Sequence, residues 1–266
     1  MYSQLIGSNH PGLFIILIDQ SDSMSDNYAN ANKAIFAARA VNRTIYEILE
    51  SCTAGEKMKD RCHITVIGYG KATELILGGL PSEIKEPPHG KETLKKKISD
   101  GAGGLVEVDD MLGIWVKPTH GNGTPMAKAF EMAAELVQAW TRDNPDNFPP
   151  LVFNITDGVP DDAEAAKQAA QRLASLGTSD GKVLIINCHL GNGTPESKLP
   201  ASGASLTDPG AQLLFEMSSV LPQELFKLAQ NADLTPQEGS RAFGMNASAE
   251  FFIKLLNFGS AVAAGR

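Results

Sequence analysis

The feature that most constrains this chain is an unbroken apolar run at 13–18, which ends at Asp19. The run consists of leucine, phenylalanine and isoleucine, and a continuous apolar segment of this kind is typical of a strand buried on both faces. It is far too short to span a bilayer, because a transmembrane helix takes about 20 apolar residues. We therefore expect the central strand of a covered sheet here, with Asp19 at its carboxyl end.

Helix-like and strand-like segments alternate along the rest of the chain. Apolar residues recur at helical spacing at 29–49 and at 126–140, which predicts two amphipathic helices. A polar turn around Gly70 separates two short strand-like runs, which we interpret as a hairpin. The predicted short strands lie at 63–69, 73–77, 151–155, 182–187 and 240–243. The remaining predicted helices lie at 161–176, 221–230 and 249–258.

Four segments are less regular. The polar, charged segment at 87–97 is predicted to be a surface loop with a short helix. The segment at 101–121 has an apolar patch around Trp115, and the sequence pattern does not assign this patch to a helix or a strand. A long loop rich in Gly, Ser and Pro is predicted at 191–210, and a strand or short apolar segment follows at 213–220.

The alternation predicts an α/β fold with a largely parallel central sheet and helices on both faces, because parallel strands need crossover connections. The chain of 266 residues has the length of one such domain. We therefore expect a single domain over 1–266, with a core at about 12–258 and a loop insertion at about 191–210. In open sheets of this kind the functional site lies beyond the carboxyl ends of the strands.

Composition and charge bear on the class of partner and on the location of the protein. Hydrophobic residues make up 42% of the chain and charged residues 20%, as in globular proteins. The formal net charge of −8 disfavours a nucleic-acid role, because binding to phosphates needs a basic surface. The N-terminus lacks a basic region followed by a long apolar core, so we expect no signal peptide and no membrane partner. Cys52, Cys62 and Cys188 are expected to be buried free thiols in a reducing compartment, which favours a cytoplasmic location.

Three polar segments coincide with the predicted edge of the sheet. The first, at 19–23, directly follows the strand at 13–18, and the second, at 121–125, directly precedes a predicted helix. The third, at 156–158, directly follows a later strand. Because strand ends and helix starts meet at one edge of a parallel sheet, we expect these three segments to be neighbours.

The side chains of these segments offer oxygen ligands. Asp19, Ser21 and Ser23 occupy alternate positions of a tight turn, so that their oxygens can converge. Thr124 adds a hydroxyl, and Asp157 adds a second carboxylate. The set contains only hard oxygen donors, with no histidine or cysteine, which selects Mg²⁺, Mn²⁺ or Ca²⁺ over zinc. The two carboxylates would roughly neutralise the charge of such a cation. Because the hydroxyls add no negative charge, the cation would still bind one more anionic oxygen.

Each segment also has an ordinary structural explanation. A serine or aspartate after a strand is often an N-cap, and Thr124 followed by Pro125 is a favourable start for a helix. An aspartate followed by a glycine is common in turns. A second Gly-Asn-Gly-Thr-Pro at 191–195 leads into a loop rather than an amphipathic helix, so we assign the metal role to Thr124 and not to Thr194.

Together the three segments resemble the metal-ion-dependent adhesion site of von Willebrand factor A domains. The residues that carry the resemblance are Asp19-x-Ser21-x-Ser23, the Gly-Thr-Pro-Met at 123–126 and the Thr-Asp-Gly at 156–158. The resemblance spans most of 12–258 and implies a Rossmann-like three-layer sandwich whose mostly parallel sheet has one antiparallel edge strand. It also implies a Mg²⁺, Mn²⁺ or Ca²⁺ ion whose ligands, bound directly or through water, are Asp19, Ser21, Ser23, Thr124 and Asp157.

The segment around Trp115 and Pro118 also resembles the compact bacterial A-domain proteins of tellurite-resistance stress systems. The resemblance implies a non-enzymatic bacterial stress-response or signalling adaptor, in which an Asp or Glu of another protein completes the metal. The alternative is a divalent-metal-dependent hydrolase or phosphatase that uses the same acidic site. Such an enzyme needs a nucleophile and an acid/base group, for which only Asp22, Asp26 and His120 lie nearby. We therefore expect binding rather than catalysis, and the oligomeric state stays open.

Overall fold

The structure is a computed structural model that describes residues 1–28, 31–99, 104–191, 196–231, 234–246 and 251. The predicted helix at 249–258, apart from Phe251, lies outside the described residues, and so does Thr194 with most of the second Gly-Asn-Gly-Thr-Pro. Within the described part of the chain, no helix has both the length and the apolar character that crossing a membrane requires.

Strands and helices alternate along the chain. The strands are β1 (Gly12–Asp19), β2 (Asn27–Tyr28), β3 (Ala31–Asn32), β4 (Thr53–Ala54), β5 (Lys57–Met58), β6 (Cys62–Tyr69), β7 (Thr73–Gly79), β8 (Lys91–Ser99), β9 (Leu105–Gly113), β10 (Leu151–Thr156), β11 (Gly177–Thr178), β12 (Gly181–Lys182), β13 (Leu184–His189), β14 (Ser197–Lys198) and β15 (Phe243–Met245). The α-helices are α1 (Lys33–Cys52), α2 (Pro81–Ile84), α3 (Met126–Asp143), α4 (Ala163–Ser175), α5 (Pro209–Met217) and α6 (Phe226–Asn231). Short 3-10 helices lie at Asp22–Ser25 and Gln223–Leu225.

Seven of the described strands form one central sheet in the order β14-β15-β13-β10-β1-β6-β7. The inner strands run parallel, and β1 lies between β10 and β6. At one edge β7 pairs antiparallel with β6, as the hairpin interpretation predicts. At the other edge the two-residue β14 adds a second antiparallel pair, with β15. The predicted α/β class with a mostly parallel central sheet is confirmed.

Side chains of β1 alternate between two apolar cores, one on each face of the sheet. Phe14 and Ile16 belong to the core that contains the buried residues of α1 and α6. Ile15 and Leu17 belong to the core that contains the buried residues of α3, α4 and α5. Every residue of β1 is buried, because helices cover both faces of this strand.

The order in which the chain adds strands to the sheet reverses at β1. From β1 the chain passes through α1 to β6 on one side, and it returns through α3 to β10 on the other side. In open α/β sheets, ligands bind at such a switch point, beyond the carboxyl ends of the strands. Asp19 and Thr156 are the last residues of β1 and β10, so both lie at this position.

The prediction of a surface loop with a short helix at 87–97 is wrong. A long hairpin of β8 and β9 occupies this region, and the short helix α2 comes before it. The hairpin has charge partners that lie elsewhere in the sequence: Lys95 of β8 pairs with Asp109 of β9, and Arg43 of α1 pairs with Asp110 of β9. The strand was not recognisable locally because these partners come from other segments.

Of the two interpretations of 213–220, the strand is wrong, since most of the segment belongs to α5. Asp208 caps this helix by accepting a hydrogen bond from the backbone N–H of Ala211, and a proline follows the cap. Buried residues then recur at helical spacing along α5. The predicted loop at 191–210 also contributes β14 to the sheet edge.

One buried amide holds the loop that leads to Thr124. The side chain of Asn42, in α1, accepts hydrogen bonds from the backbone N–H groups of Trp115 at 3.0 Å and Val116 at 2.9 Å. It also donates to the carbonyl of Val116 at 2.9 Å. Trp115 is buried, and its indole N–H donates to the carbonyl of Ile84. These contacts fix the loop against α1.

Asn42→Ala should lower the free energy of unfolding by about 2–4 kcal/mol, because it leaves two backbone N–H groups and one carbonyl buried without partners. Urea unfolding followed by circular dichroism measures this change. Thr119→Ala, in the exposed part of the same loop, is the matched control and should change stability by less than about 0.5 kcal/mol. A loss as small as that of the control would show that Asn42 does not hold the loop.

Candidate metal site

Asp19 places a carboxylate at the carboxyl end of β1, where it is 1% exposed. Its Oδ1 accepts a hydrogen bond from the backbone N–H of Ser21 at 2.8 Å, and its Oδ2 accepts one from the Thr156 hydroxyl at 2.5 Å. The Thr156 hydroxyl oxygen in turn accepts a hydrogen bond from the N–H of Gly158. The switch point therefore holds a buried carboxylate that is tied to the ends of both β1 and β10.

Burial makes the charged form of this carboxylate unfavourable. Loss of solvation raises the pKa of Asp19 from 3.8 to about 6. Hydrogen bonds from Thr156 and Ser21 oppose the shift, and the nearby charge of Asp157 adds to it. Among the described residues, no lysine, arginine or histidine forms an ion pair with Asp19. A cation beside Asp19 would remove the penalty.

The hydroxyls of Ser21 and Ser23 are hydrogen-bonded to each other, with 3.1 Å between their oxygens. Ser21 precedes the 3-10 helix at Asp22–Ser25, but its side chain does not cap that helix. Two ligands at neighbouring corners of an octahedron around Mg²⁺ are about 3.0 Å apart, since Mg–O distances are about 2.1 Å. The two hydroxyls are therefore spaced as adjacent ligands of such an ion would be.

Contacts between loops bring Thr124 to the same edge. The backbone N–H of Asp22 donates to the carbonyl of Asn122 at 2.9 Å, and the N–H of Asn122 donates to the Asp22 carboxylate at 2.8 Å. Thr124 is 7% exposed, and its backbone N–H donates to the Asp161 carboxylate at 2.8 Å. Helix α3 has Pro125 as its N-cap and no side-chain cap, so the Thr124 hydroxyl does not serve as one.

Asp157 follows β10 and carries the second carboxylate of the predicted set. Its Oδ2 accepts a hydrogen bond from the ammonium group of Lys33 at 2.9 Å, and the same ammonium donates to Asp26 at 3.1 Å. The side chains of Lys33 and Asp157 are 7% and 9% exposed. Burial lowers the pKa of Lys33, but the hydrogen bonds and charges of Asp157 and Asp26 outweigh burial, so that its pKa is raised overall. Lys33 is therefore a charged neighbour of the candidate ligands.

The sequence motifs do not indicate this ion pair, and it changes the charge of the site. Asp19 and Asp157 carry two negative charges, and Lys33 balances one of them. Lys33 is the first residue of α1, where the helix dipole disfavours a positive charge. A lysine at that position is a weak signal of acidic neighbours, and it could have pointed to the pair.

A buried histidine packs beneath the turn that carries Asp157. His189 ends β13 and is 2% exposed, and neither of its ring nitrogens has a hydrogen-bond partner of normal geometry among the described residues. Burial lowers the pKa of His189 despite Asp208, whose Oδ1 lies 3.5 Å from Nε2, so we expect a neutral ring. Gly158 has a φ of +109°, and a Cβ on it would lie 2.7 Å from the histidine ring. The turn after Asp157 therefore requires glycine.

The three predicted segments meet at one edge of the sheet and place the five candidate ligands on adjacent loops. Within the described ranges, no group of three or more His, Cys, Asp or Glu side chains is arranged to hold a metal ion. A cation at this edge would therefore depend on Ser and Thr hydroxyls as well as on carboxylates. Such a donor set suits a hard cation rather than zinc.

No protein-family model matches this sequence, and no curated protein matches it. The manganese-loaded TRAP protein of Plasmodium vivax is similar in structure, with 14% identity, a TM-score of 0.46 and coverage of 94% of this chain and 74% of that one. Proximal thread matrix protein 1 of the mussel byssus has 14% identity and a TM-score of 0.49, and the match covers 98% of this chain but 47% of that one. BatB of Bacteroides thetaiotaomicron has 13% identity and a TM-score of 0.42, with coverage of 95% and 99%. Because these likenesses concern the fold alone, we interpret the site from the residues of this chain.

Asp19→Asn should stabilise the metal-free chain at pH 7.5. The raised pKa of Asp19 means that its ionised form destabilises the fold; this penalty is absent below pH 3.8 and complete above about pH 6. Since one pKa unit corresponds to about 1.4 kcal/mol, removal of the charge should raise the free energy of unfolding by up to about 3 kcal/mol in EDTA. Urea unfolding of both chains measures the difference.

In excess Mg²⁺ the order should reverse, because the wild-type chain gains stability from the cation and the variant does not. Asp143→Asn, at the exposed end of α3, is the matched control and should respond to neither condition. An Asp19→Asn chain that is less stable than wild type in EDTA would contradict the electrostatic explanation.

Proposed function

We propose that this protein is a metal-dependent protein-binding module, in which a divalent cation at the edge of the sheet is completed by a carboxylate of another protein. The cation is Mg²⁺, Mn²⁺ or Ca²⁺. Its proposed ligands, bound directly or through water, are Asp19, Ser21, Ser23, Thr124 and Asp157. The cation serves to grip a partner and not to transform a substrate.

The observation that carries this proposal is the pair of hydroxyls of Ser21 and Ser23, 3.1 Å apart and next to the buried Asp19. The hydroxyls of Ser21 and Ser23 are hydrogen-bonded to each other, and neither Ser21 nor Thr124 uses its side chain to cap the helix that follows it, so these oxygens keep lone pairs for a ligand. Asp19 is a carboxylate whose charge is unfavourable without a cation.

The number of ligands leaves room for a partner. Mg²⁺ prefers six oxygens in near-octahedral geometry, so five protein oxygens leave at least one position for water or an incoming group. Asp19 contributes one negative charge, whereas Asp157 is paired with Lys33. A bound dication would therefore keep surplus positive charge, and a carboxylate supplies the missing anionic oxygen.

The surface around the site is acidic, so binding of an acidic partner residue depends on the cation. Asp22, Asp26 and Asp161 are exposed on the loops that form the site. Without a cation, these carboxylates would repel an acidic residue of the partner. With a cation, attraction at the metal is opposed by repulsion at the rim, so we expect the partner's acidic residue to have basic or neutral neighbours.

The geometry gives less support to a hydrolase or phosphatase. Asp22 accepts a hydrogen bond from the N–H of Asn122, and Asp26 is ion-paired with Lys33. His120 is exposed in the loop that directly precedes the segment at 121–125. In the described part of the chain, none of these three candidate acid/base residues is hydrogen-bonded to a Ser, Thr or Cys side chain, as an activated nucleophile would require.

We further propose a cytoplasmic bacterial adaptor in stress response or signalling. Cys52, Cys62 and Cys188 are free and buried, as expected of thiols in a reducing compartment. The resemblance of the segment around Trp115 and Pro118 to proteins of tellurite-resistance systems supports the adaptor role. Trp115 is 3% exposed, so it contributes to the core and not to a partner contact.

Ser21→Ala and Thr124→Ala should each weaken Mn²⁺ binding by at least about 10-fold in calorimetry, because each removes an oxygen ligand. Thr194→Ala is the matched control, since Thr194 lies in the second Gly-Asn-Gly-Thr-Pro, and it should leave the affinity unchanged. Partner capture from a bacterial lysate should fail in EDTA, return with excess Mg²⁺ and fail with Thr124→Ala.

Two results would contradict this proposal. A partner complex that keeps its affinity in EDTA would refute a metal-bridged contact. Equal losses of Mn²⁺ affinity in Thr124→Ala and Thr194→Ala would show that the ligand was assigned to the wrong copy of the motif.

The chain should show no turnover of phosphate monoesters, phosphate diesters or carboxyl esters with Mg²⁺ or Mn²⁺, because in the described residues none of the acid/base candidates Asp22, Asp26 and His120 is hydrogen-bonded to a Ser, Thr or Cys side chain. Product release measured by absorbance should equal that of buffer. Turnover that disappears in Asp19→Asn and persists in Asp143→Asn would replace the binding module by an enzyme.

A further inference from the structure

The ammonium group of Lys33 lies between two carboxylates at the edge of the candidate site. Its Nζ is 2.9 Å from Asp157 Oδ2 and 3.1 Å from Asp26 Oδ2, and its side chain is 7% exposed. A buried ammonium is strongly unfavourable unless it is paired, and the start of a helix adds to the penalty. The carboxylates, and not the helix, therefore account for the position of this lysine.

We infer that Lys33 is a built-in counter-ion that sets the charge of the metal site so that the site requires one carboxylate from its partner. The inference rests on the proposed function, because it concerns the same cation. Among the buried charges, Lys33 and Asp157 together carry no net charge, and Asp19 carries one negative charge. Asp26 shares the ammonium of Lys33, but its side chain is 56% exposed, so solvent screens its charge. A bound dication then leaves one surplus positive charge, which one partner carboxylate neutralises. Without Lys33, the carboxylates of Asp19 and Asp157 would neutralise the dication by themselves.

The same lysine allows the chain to fold without metal. The side chain of Asp157 is 9% exposed, so its charge would be unfavourable without a counter-ion. Lys33 supplies that counter-ion when no metal is bound. When a dication is present, Lys33 repels it and competes with it for Asp157 Oδ2. The affinity for the metal alone should therefore be weak.

Lys33 is held at both its backbone and its side chain, so it cannot readily leave the site. Its backbone N–H donates to the carbonyl of Asp26 at 3.0 Å, and its ammonium contacts the Asp26 carboxylate. The Asp26 side chain is 56% exposed and closes the pair on the solvent side. Because the positive charge stays beside Asp157, binding of the metal and binding of the partner carboxylate should each strengthen the other.

The test is calorimetric Mn²⁺ binding to the full chain, with and without acetate as a probe for the partner carboxylate, corrected for binding of Mn²⁺ by acetate itself. Wild type should bind Mn²⁺ weakly, and acetate should increase the affinity. Lys33→Met keeps the length of the side chain without its charge, and it should bind Mn²⁺ alone at least about 10-fold more tightly and lose the effect of acetate. Lys33→Arg keeps the charge and should behave as wild type.

Lys33→Met leaves Asp157 buried without a counter-ion, and this variant can fail to fold. The double variant Lys33→Met with Asp157→Asn removes both charges and avoids that problem. Because the lost pair is neutral and the asparagine amide keeps an oxygen at the ligand position, the double variant should bind Mn²⁺ with nearly wild-type affinity and keep the effect of acetate. Asp157→Asn alone leaves Lys33 paired only with the exposed Asp26, and it should weaken Mn²⁺ binding by at least about 10-fold.

Three results separate this inference from the proposed function. Equal Mn²⁺ affinities of wild type and a folded Lys33→Met chain would overturn the inference and leave the metal site intact. Loss of Mn²⁺ binding in the double variant would also overturn it, since Asp157 would then be an indispensable ligand that Lys33 does not offset. Absence of Mn²⁺ binding by wild type, with acetate present, would overturn both the inference and the proposed function.

Discussion

The buried carboxylate of Asp19 is the group on which the rest of this structure depends. It lies at the end of the central strand, where β1 is paired in register with β6 and β10 on its two sides. A charge at such a position is unfavourable unless donors are fixed around it. The N–H of Ser21 and the hydroxyl of Thr156 provide those donors, and each comes from a different segment. The geometry of the site is therefore set by how tightly the ends of these strands are held together.

A chain of buried polar side chains provides that tightness beneath the site. The Tyr69 hydroxyl donates to Asn154 at 2.7 Å, the amide of Asn154 donates to Asn187 at 2.9 Å, and the amide of Asn187 donates to the Ser218 hydroxyl at 3.1 Å. These residues come from β6, β10, β13 and the end of α5, and all are buried. Buried polar groups are unfavourable unless each finds its partner, so a satisfied network specifies one arrangement of the strands. Apolar packing alone would tolerate small shifts that would separate Asp19 from its donors.

The sequence predicts the central sheet and the meeting of the three loops because both follow from local chemistry. A strand covered on both faces must be continuously apolar, and the run at 13–18 identifies β1 for that reason. Strand ends of a parallel sheet share an edge, so the segments after β1 and β10 must be neighbours. The hairpin of β8 and β9 escapes prediction because its lysines read as a solvated loop until the acids of the opposite strand are known. Helix α5 escapes prediction for a different reason, because a short apolar run after a cap such as Asp208 is compatible with a strand as well as with a helix.

The candidate ligands can be predicted from the sequence, but the net charge of the site cannot. A motif names the side chains that supply oxygen atoms, but the affinity of a cation depends on every charge within several ångströms, including charges from other elements. Lys33 and Asp157 are 124 positions apart in the sequence, and only the fold brings them to 2.9 Å. A site with the same oxygens and no lysine would be neutral once a dication was bound, and it would have no electrostatic need for an acidic partner. If the cation binds a carboxylate of a partner, the preference for that carboxylate therefore depends less on the oxygens that hold the metal than on the lysine, which cancels the charge of one of the two aspartates.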